Sequence, residues 1–227
     1  MREFSARNRV AAAASALIAV AFITGSAIQN WRQQAVWRNG ESLWLYEAYR
    51  SEPSLLSVQA LAKVYMKRAE RAAADPEHTI WLERAETEIE RGFARHSELE
   101  RIPGRYPVTE QLQLARLHYL RGRVAELRRE PIENQLHHFY QAFELAPERL
   151  TAIYTSRSLF AMAGYADGPA QQKLVEDSFD YFVHYIEFSL HDSLKLAESK
   201  RLLENNYAGR FPFLEGRILE TREAYFQ

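Results

Sequence analysis

Residues 10 to 28 of this chain run for nineteen positions without a charge, from Val10 to Ile28. In a helix rising 1.5 Å per residue such a run is about 28 Å long, close to the hydrocarbon thickness of a bilayer. The rest of the sequence is polar enough to stay in water. This run therefore predicts a tail over 1–9, a transmembrane helix over 10–28, an interfacial linker over 29–40 and a helical domain over 41–227. Gly25 and Ala27 also stand at the −3 and −1 positions of a possible signal cleavage site, but the run exceeds the usual length of a signal's apolar region. An anchor and a cleaved signal send the C-terminal domain to the same side. The span is rich in alanine, and Gly25 with Ser26 would let it pack against other membrane helices, because small residues allow close approach.

Arg2, Arg7 and Arg9 precede the run and Arg32 and Arg38 follow it. This bias places the N-terminus in the cytoplasm and the domain outside the membrane. Trp31, Trp37 and Trp44 follow the apolar run, where indole rings favour the headgroup region. The expected location is a bacterial inner membrane, crossed once, with the C-terminal domain in the periplasm.

The formal net charge of −1 provides no basic field for nucleic acid. The absence of cysteine excludes disulfides, thiolate catalysis, Cys-ligated zinc, iron–sulfur clusters, covalent haem and a lipoprotein anchor. No Gly-x-Ser-x-Gly elbow, phosphate-binding glycine loop or His-Glu-x-x-His helix occurs. The expectation is a non-enzyme with no cofactor and no small-molecule substrate.

Beyond the run there is no strand-like alternation. Apolar residues recur at three- and four-residue spacing in segments broken by proline, glycine or aspartate, which predicts an all-α protein. Helices are expected over 41–51, 55–73, 78–96, 107–122, 131–145, 149–163, 169–190, 193–206 and 213–226. Pro53, Asp75-Pro76, Pro103-Gly104, Pro131, Pro147, Gly164 to Pro169 and Pro212 supply the breaks. Consecutive helices with short connections predict an α-solenoid of antiparallel hairpins. Phe211, Phe213, Leu214, Tyr225 and Phe226 make the C-terminal tail too apolar for a free end, so it is expected to be docked.

Phe139, Ala142 and Pro147 reproduce the second-helix pattern of the tetratricopeptide repeat, and Leu45, Ala48 and Pro53 echo it. Leu61-Ala62 with Tyr65, and Leu114-Ala115 with Gly122, are similar to its first helix. The resemblance is to a degenerate repeat, since Pro53 and Pro147 are 94 residues apart, which is not a multiple of 34, and 97–107 and 123–131 look like insertions. Trp37, Leu43-Trp44 and Pro53, followed by Ala60-Leu61-Ala62, resemble the junction of polytopic transmembrane-and-tetratricopeptide proteins related to O-mannosyltransferases. That resemblance implies a membrane–solenoid layout. It implies no catalysis, because this chain lacks their multi-helix core.

On the predicted helix 169–190, Glu176, Asp177, Asp180, His184, Glu187 and His191 share one arc. His184, Glu187 and His191 have the spacing of a metal or proton-responsive site, but one helix rarely closes a coordination sphere, so a solvated edge is expected and no metal. Beside this stripe, Tyr181, Tyr185 and Phe188 are the candidate contacts for a partner protein, with core packing as the competing role. Arg121, Arg123 and Arg128, together with Arg116 and Arg129, form a second candidate surface, in competition with plain solvation. His137 and His138 are expected to point apart, one inward and one outward. The function these features predict is a non-catalytic scaffold or accessory subunit whose solenoid docks another protein at the membrane. The alternative is an accessory module of a cell-envelope glycosyltransferase or glycan ligase system.

Overall fold

The computed structural model describes residues 20–29, 31, 40–49, 54–73, 76–101 and 107–226. The described residues are helical, with no strand among them. The helices are α1 (Gly40–Ala48), α2 (Leu55–Arg71), α3 (Glu77–Glu100), α4 (Pro107–Leu127), α5 (Ile132–Leu145), α6 (Arg149–Ala163), α7 (Gly168–Glu187), α8 (Ser193–Asn206) and α9 (Glu215–Tyr225). A 3-10 turn, Pro212–Leu214, precedes α9. The chain divides into two compact units, residues 1–57 and 58–227.

In the first unit, residues 20–29 are helical, and Val20, Phe22, Ile23 and Ile28 are exposed. Among the described residues no helix is long and apolar enough to cross a membrane. Residues 10–19 of the expected span lie outside the described residues, as does Trp37. Trp31 is exposed, and Trp44 is half-buried on α1.

In the second unit the helices pack in sequence order, α3 on α4, α4 on α5, α5 on α6, α6 on α7 and α7 on α8, while α9 turns back onto α7. An interior helix in such a row needs apolar side chains on more than one face. α4 has them, burying Ala115, Leu117, Leu120, Val124 and Ala125 around its circumference. α7 buries a single stripe, Val175, Ser178, Phe179, Phe182, Tyr185 and Ile186, at helical spacing. The C-terminal core closes around that stripe with Leu203, Tyr207, Leu214 and Ile218, and Phe211, Tyr225 and Phe226 pack against it. The apolar tail is docked, as expected, although Phe213 stays exposed.

Short-range chemistry fixes the helix ends. The Asp192 carboxylate accepts the Lys195 amide at 3.1 Å and caps α8, and the Thr151 hydroxyl accepts the Glu148 amide at 3.1 Å at the start of α6. Several ends differ from expectation. α1 ends at Ala48, and α3 continues to Glu100, with Leu99 buried, into the supposed insertion 97–107. α4 continues to Leu127, because Val124 and Ala125 are buried and carry the helix through the supposed insertion. α7 stops at Glu187, where buried Ser189 turns its hydroxyl onto the Tyr185 carbonyl at 2.7 Å, so His191 lies beyond the helix.

One contact explains the repeat-like residues. A Cβ on Gly122 would stand 2.6 Å from Cε1 of Phe139. The missing side chain lets the buried Phe139 ring lie directly on α4, and Ala142 is buried one turn further along α5.

Candidate functional site

A recess of about 450 Å³ opens where α5, α6 and α7 meet. α5 contributes Tyr140 and Phe143, three residues apart and therefore on one face. α7 contributes Asp177, Tyr181 and His184 at spacings of four and three, and Leu159 of α6 lines it as well. The aromatic wall is ordered edge to face. Tyr181 meets Tyr140 at 5.7 Å and Phe143 at 4.9 Å between ring centroids, and His184 lies 5.6 Å from Phe143. Burial and the hydrogen bond with Tyr140 hold the Tyr181 phenol above its usual range. Tyr181 is thus a neutral, hydrogen-bonding aromatic at every physiological pH.

The carboxylates of the recess differ in state. Asp180 is ion-paired to Arg217 of α9. His184 donates through Nδ1 to Glu187 at 3.0 Å, and Glu187 also accepts the Tyr225 hydroxyl at 2.9 Å. Asp177, half-buried on the wall, makes no ion pair or hydrogen bond among the described residues.

The residues singled out from sequence do not form one surface. Tyr181 lines the recess, Tyr185 is 4% exposed in the core, and Phe188 is 42% exposed just past the end of α7. Arg121 pairs with Glu86 at 2.9 Å and Glu90 at 2.6 Å, both on α3. Arg123 reaches Glu70 of α2 at 2.7 Å and also pairs with Glu126, while Arg128 holds Glu86 at 2.5 Å. These arginines join α4 to α2 and α3. Their pairing leaves little cationic surface for an acidic partner.

A second cluster joins α3, α4 and α5. His118 stands 5.0 Å from Phe93 and stacks on His138 at 5.9 Å, with His137 at 5.3 Å from His138. His137 is exposed and His138 half-buried, as expected for neighbours on a helix. His96, 4% exposed, lies 3.6 Å through Nδ1 from Glu100. Nε2 of His96 and Nδ1 of His118 and His138 are buried without a hydrogen-bond partner. Burial first, then the neighbouring His138, His137 and His96, lowers His118 to about 4. Burial and His137 also lower His138. Among the described residues, no group of three or more His, Cys, Asp or Glu is arranged to hold a metal ion.

Sequence reading missed Tyr140 and Phe143 as partners of Tyr181, and His118 as the neighbour of both His138 and His96. Tyr140 and Phe143 lie 41 and 38 residues before Tyr181, and His118 lies 20 before His138 and 22 after His96, separations beyond anything helical periodicity reports. No family model, curated protein or solved structure matches the chain.

Proposed function

We propose that this protein is a non-catalytic docking protein, a tetratricopeptide-like stack of helical hairpins that presents the α5–α7 recess to another protein. The observation that carries this reading is the aromatic wall of Tyr140, Phe143 and Tyr181, which borders the core through Phe143 yet leaves Tyr140 exposed and Tyr181 half-buried at the recess. Aromatic anchors in a recess are typical of protein-binding hot spots, because they bury much area for little lost rotamer freedom. The close approach of Gly122 to Phe139, with Ala142 and Pro147, supports the repeat assignment.

We further propose that the uncharged run 10–28 anchors the chain in a bacterial inner membrane, with the stack in the periplasm. Exposed Val20, Phe22, Ile23 and Ile28 support this reading, as apolar side chains on a helix in water would be costly. The anchor confines partner search to two dimensions.

Site-specific photocrosslinking in native membranes tests the reading. A photoreactive residue at position 140 should give a discrete protein adduct, and one at the exposed position 194 should not. Absence of a discrete adduct at 140 removes the docking role. Recovery of a polytopic glycosyltransferase in that adduct would favour the envelope-glycan alternative. A C-terminal reporter active only inside the cell would remove the proposed sidedness.

A further inference from the structure

We infer that the α5–α7 recess binds the guanidinium of an arginine side chain presented by the partner protein, an inference that rests on the docking reading above. The protein's own chemistry points there. Arg123 lies 4.7 Å over the Tyr154 ring and pairs with the Glu126 carboxylate. Arg217 lies 5.0 Å over Phe179 and pairs with Asp180. In both places a planar cation rests on an aromatic face while a carboxylate fixes its edge, which stabilises arginine more than a compact ammonium.

The recess offers the same pairing without an arginine of its own. Tyr140, Phe143 and Tyr181 supply the aromatic faces, and Asp177 supplies a carboxylate engaged by no other described residue. Glu144 lies close enough to raise the Tyr181 pKa and adds to the negative field. Asp180 is already held by Arg217. Lys173 on the rim stands one turn before Asp177, yet among the described residues it forms no salt bridge with it or with any other carboxylate. With Asp180 neutralised by Arg217 and Lys173 offsetting one carboxylate, Asp177 and Glu144 together leave the recess with one excess negative charge. A recess of 450 Å³ with an open mouth suits one long side chain better than a helix or a strand.

Fluorotyrosine incorporated into the full-length chain makes the site visible by fluorine NMR, with Tyr140→Phe and Tyr181→Phe identifying the two resonances. The probes are N-acetyl-arginine amide and its neutral isostere N-acetyl-citrulline amide. The arginine probe should shift both resonances saturably, and the citrulline probe should bind at least about tenfold more weakly, as should the arginine probe to Asp177→Asn. Asp177 is half-buried and unpaired, so this variant should keep the fold, which its unchanged fluorine spectrum without probe would verify. No shift with up to about 0.1 M arginine probe overturns the inference. So does equal binding of both probes. A crosslink from position 140 that survives Asp177→Asn overturns the inference and leaves docking standing. Arginine binding with no crosslinked partner removes the docking reading instead, and with it the partner as the source of the arginine.

Discussion

The Tyr207 hydroxyl lies 2.7 Å from Oγ of Ser178, inside a core where Tyr207 is 2% exposed. Ser178 donates its own proton to the Ser156 carbonyl at 2.8 Å, so Tyr207 must be the donor to Ser178. Ser156 Oγ, 3.1 Å away, then donates to the Tyr207 oxygen. Three hydroxyls thus satisfy one another in a fixed order and tie the middles of α6 and α7 to the C-terminal end of α8. Tyr207→Phe keeps the ring but removes two bonds and leaves the Ser156 hydroxyl only a long 3.4 Å approach to Ser178 Oγ. It should cost about 1–3 kcal/mol and lower the thermal midpoint by several degrees. A midpoint unchanged within error would show that the network contributes nothing net.

The same substitution at two glycines should have opposite effects. Gly122→Ala drives a Cβ into the buried Phe139 ring and should destabilise by about 1–3 kcal/mol. Gly216 lies exposed on α9 with nothing within 4 Å of a would-be Cβ, so Gly216→Ala should stabilise by about 0.5–1 kcal/mol through helix propensity. Thermal unfolding followed by circular dichroism compares them directly. Two changes of the same sign would contradict the close approach at Gly122.

Arg129 carries a positive φ of 56° at the end of α4. The Glu130 amide bonds to the Ala125 carbonyl and the Arg129 amide to the Glu126 carbonyl, both at 3.0 Å, which is the hydrogen-bond pattern of a Schellman cap. That position favours glycine, and the exposed Arg129 side chain forms no ion pair among the described residues. Arg129→Gly should therefore stabilise the fold by about 0.5–1 kcal/mol. Chemical denaturation of the two proteins in parallel is the check, and a lower midpoint in the variant would refute it.

The histidine cluster should make the stack acid-sensitive. His118 has an ordinary value of 6.5 and is depressed to about 4 in the fold. A depressed pKa means that protons bind the unfolded chain more readily. The stabilising contribution is therefore complete above pH 6.5 and is lost as pH falls towards 4. His118→Phe can still meet Phe93 edge to face and stack on His138 but cannot titrate. It should flatten the fall in thermal midpoint between pH 6.5 and 4.5. An equally steep fall in the variant would place the acid sensitivity elsewhere.

Much of the fold was legible because its signals are local. Pro131, Pro147 and the Gly164 to Pro169 segment break the backbone within a residue or two of where α5, α6 and α7 begin. The apolar tail announced its own docking, since Phe211, Tyr225 and Phe226 had no reason to sit in water. The candidate site was half legible. Tyr181 and Asp177 share a helix face that periodicity reveals, but that face says nothing about the α5 residues opposite it.

Helix positions and the burial of the C-terminal end followed from the sequence alone, because they depend on backbone breaks and on spacing within one segment. The tertiary structure alone decided that Tyr181 lines a recess while Tyr185, one turn later, enters the core. It alone matched Arg121 and Arg123 with glutamates 31 and 53 residues away. The reason is physical. A helix repeats its faces every few residues, so the sequence specifies which side chains share a face, but only the neighbouring helix determines whether that face meets protein or water.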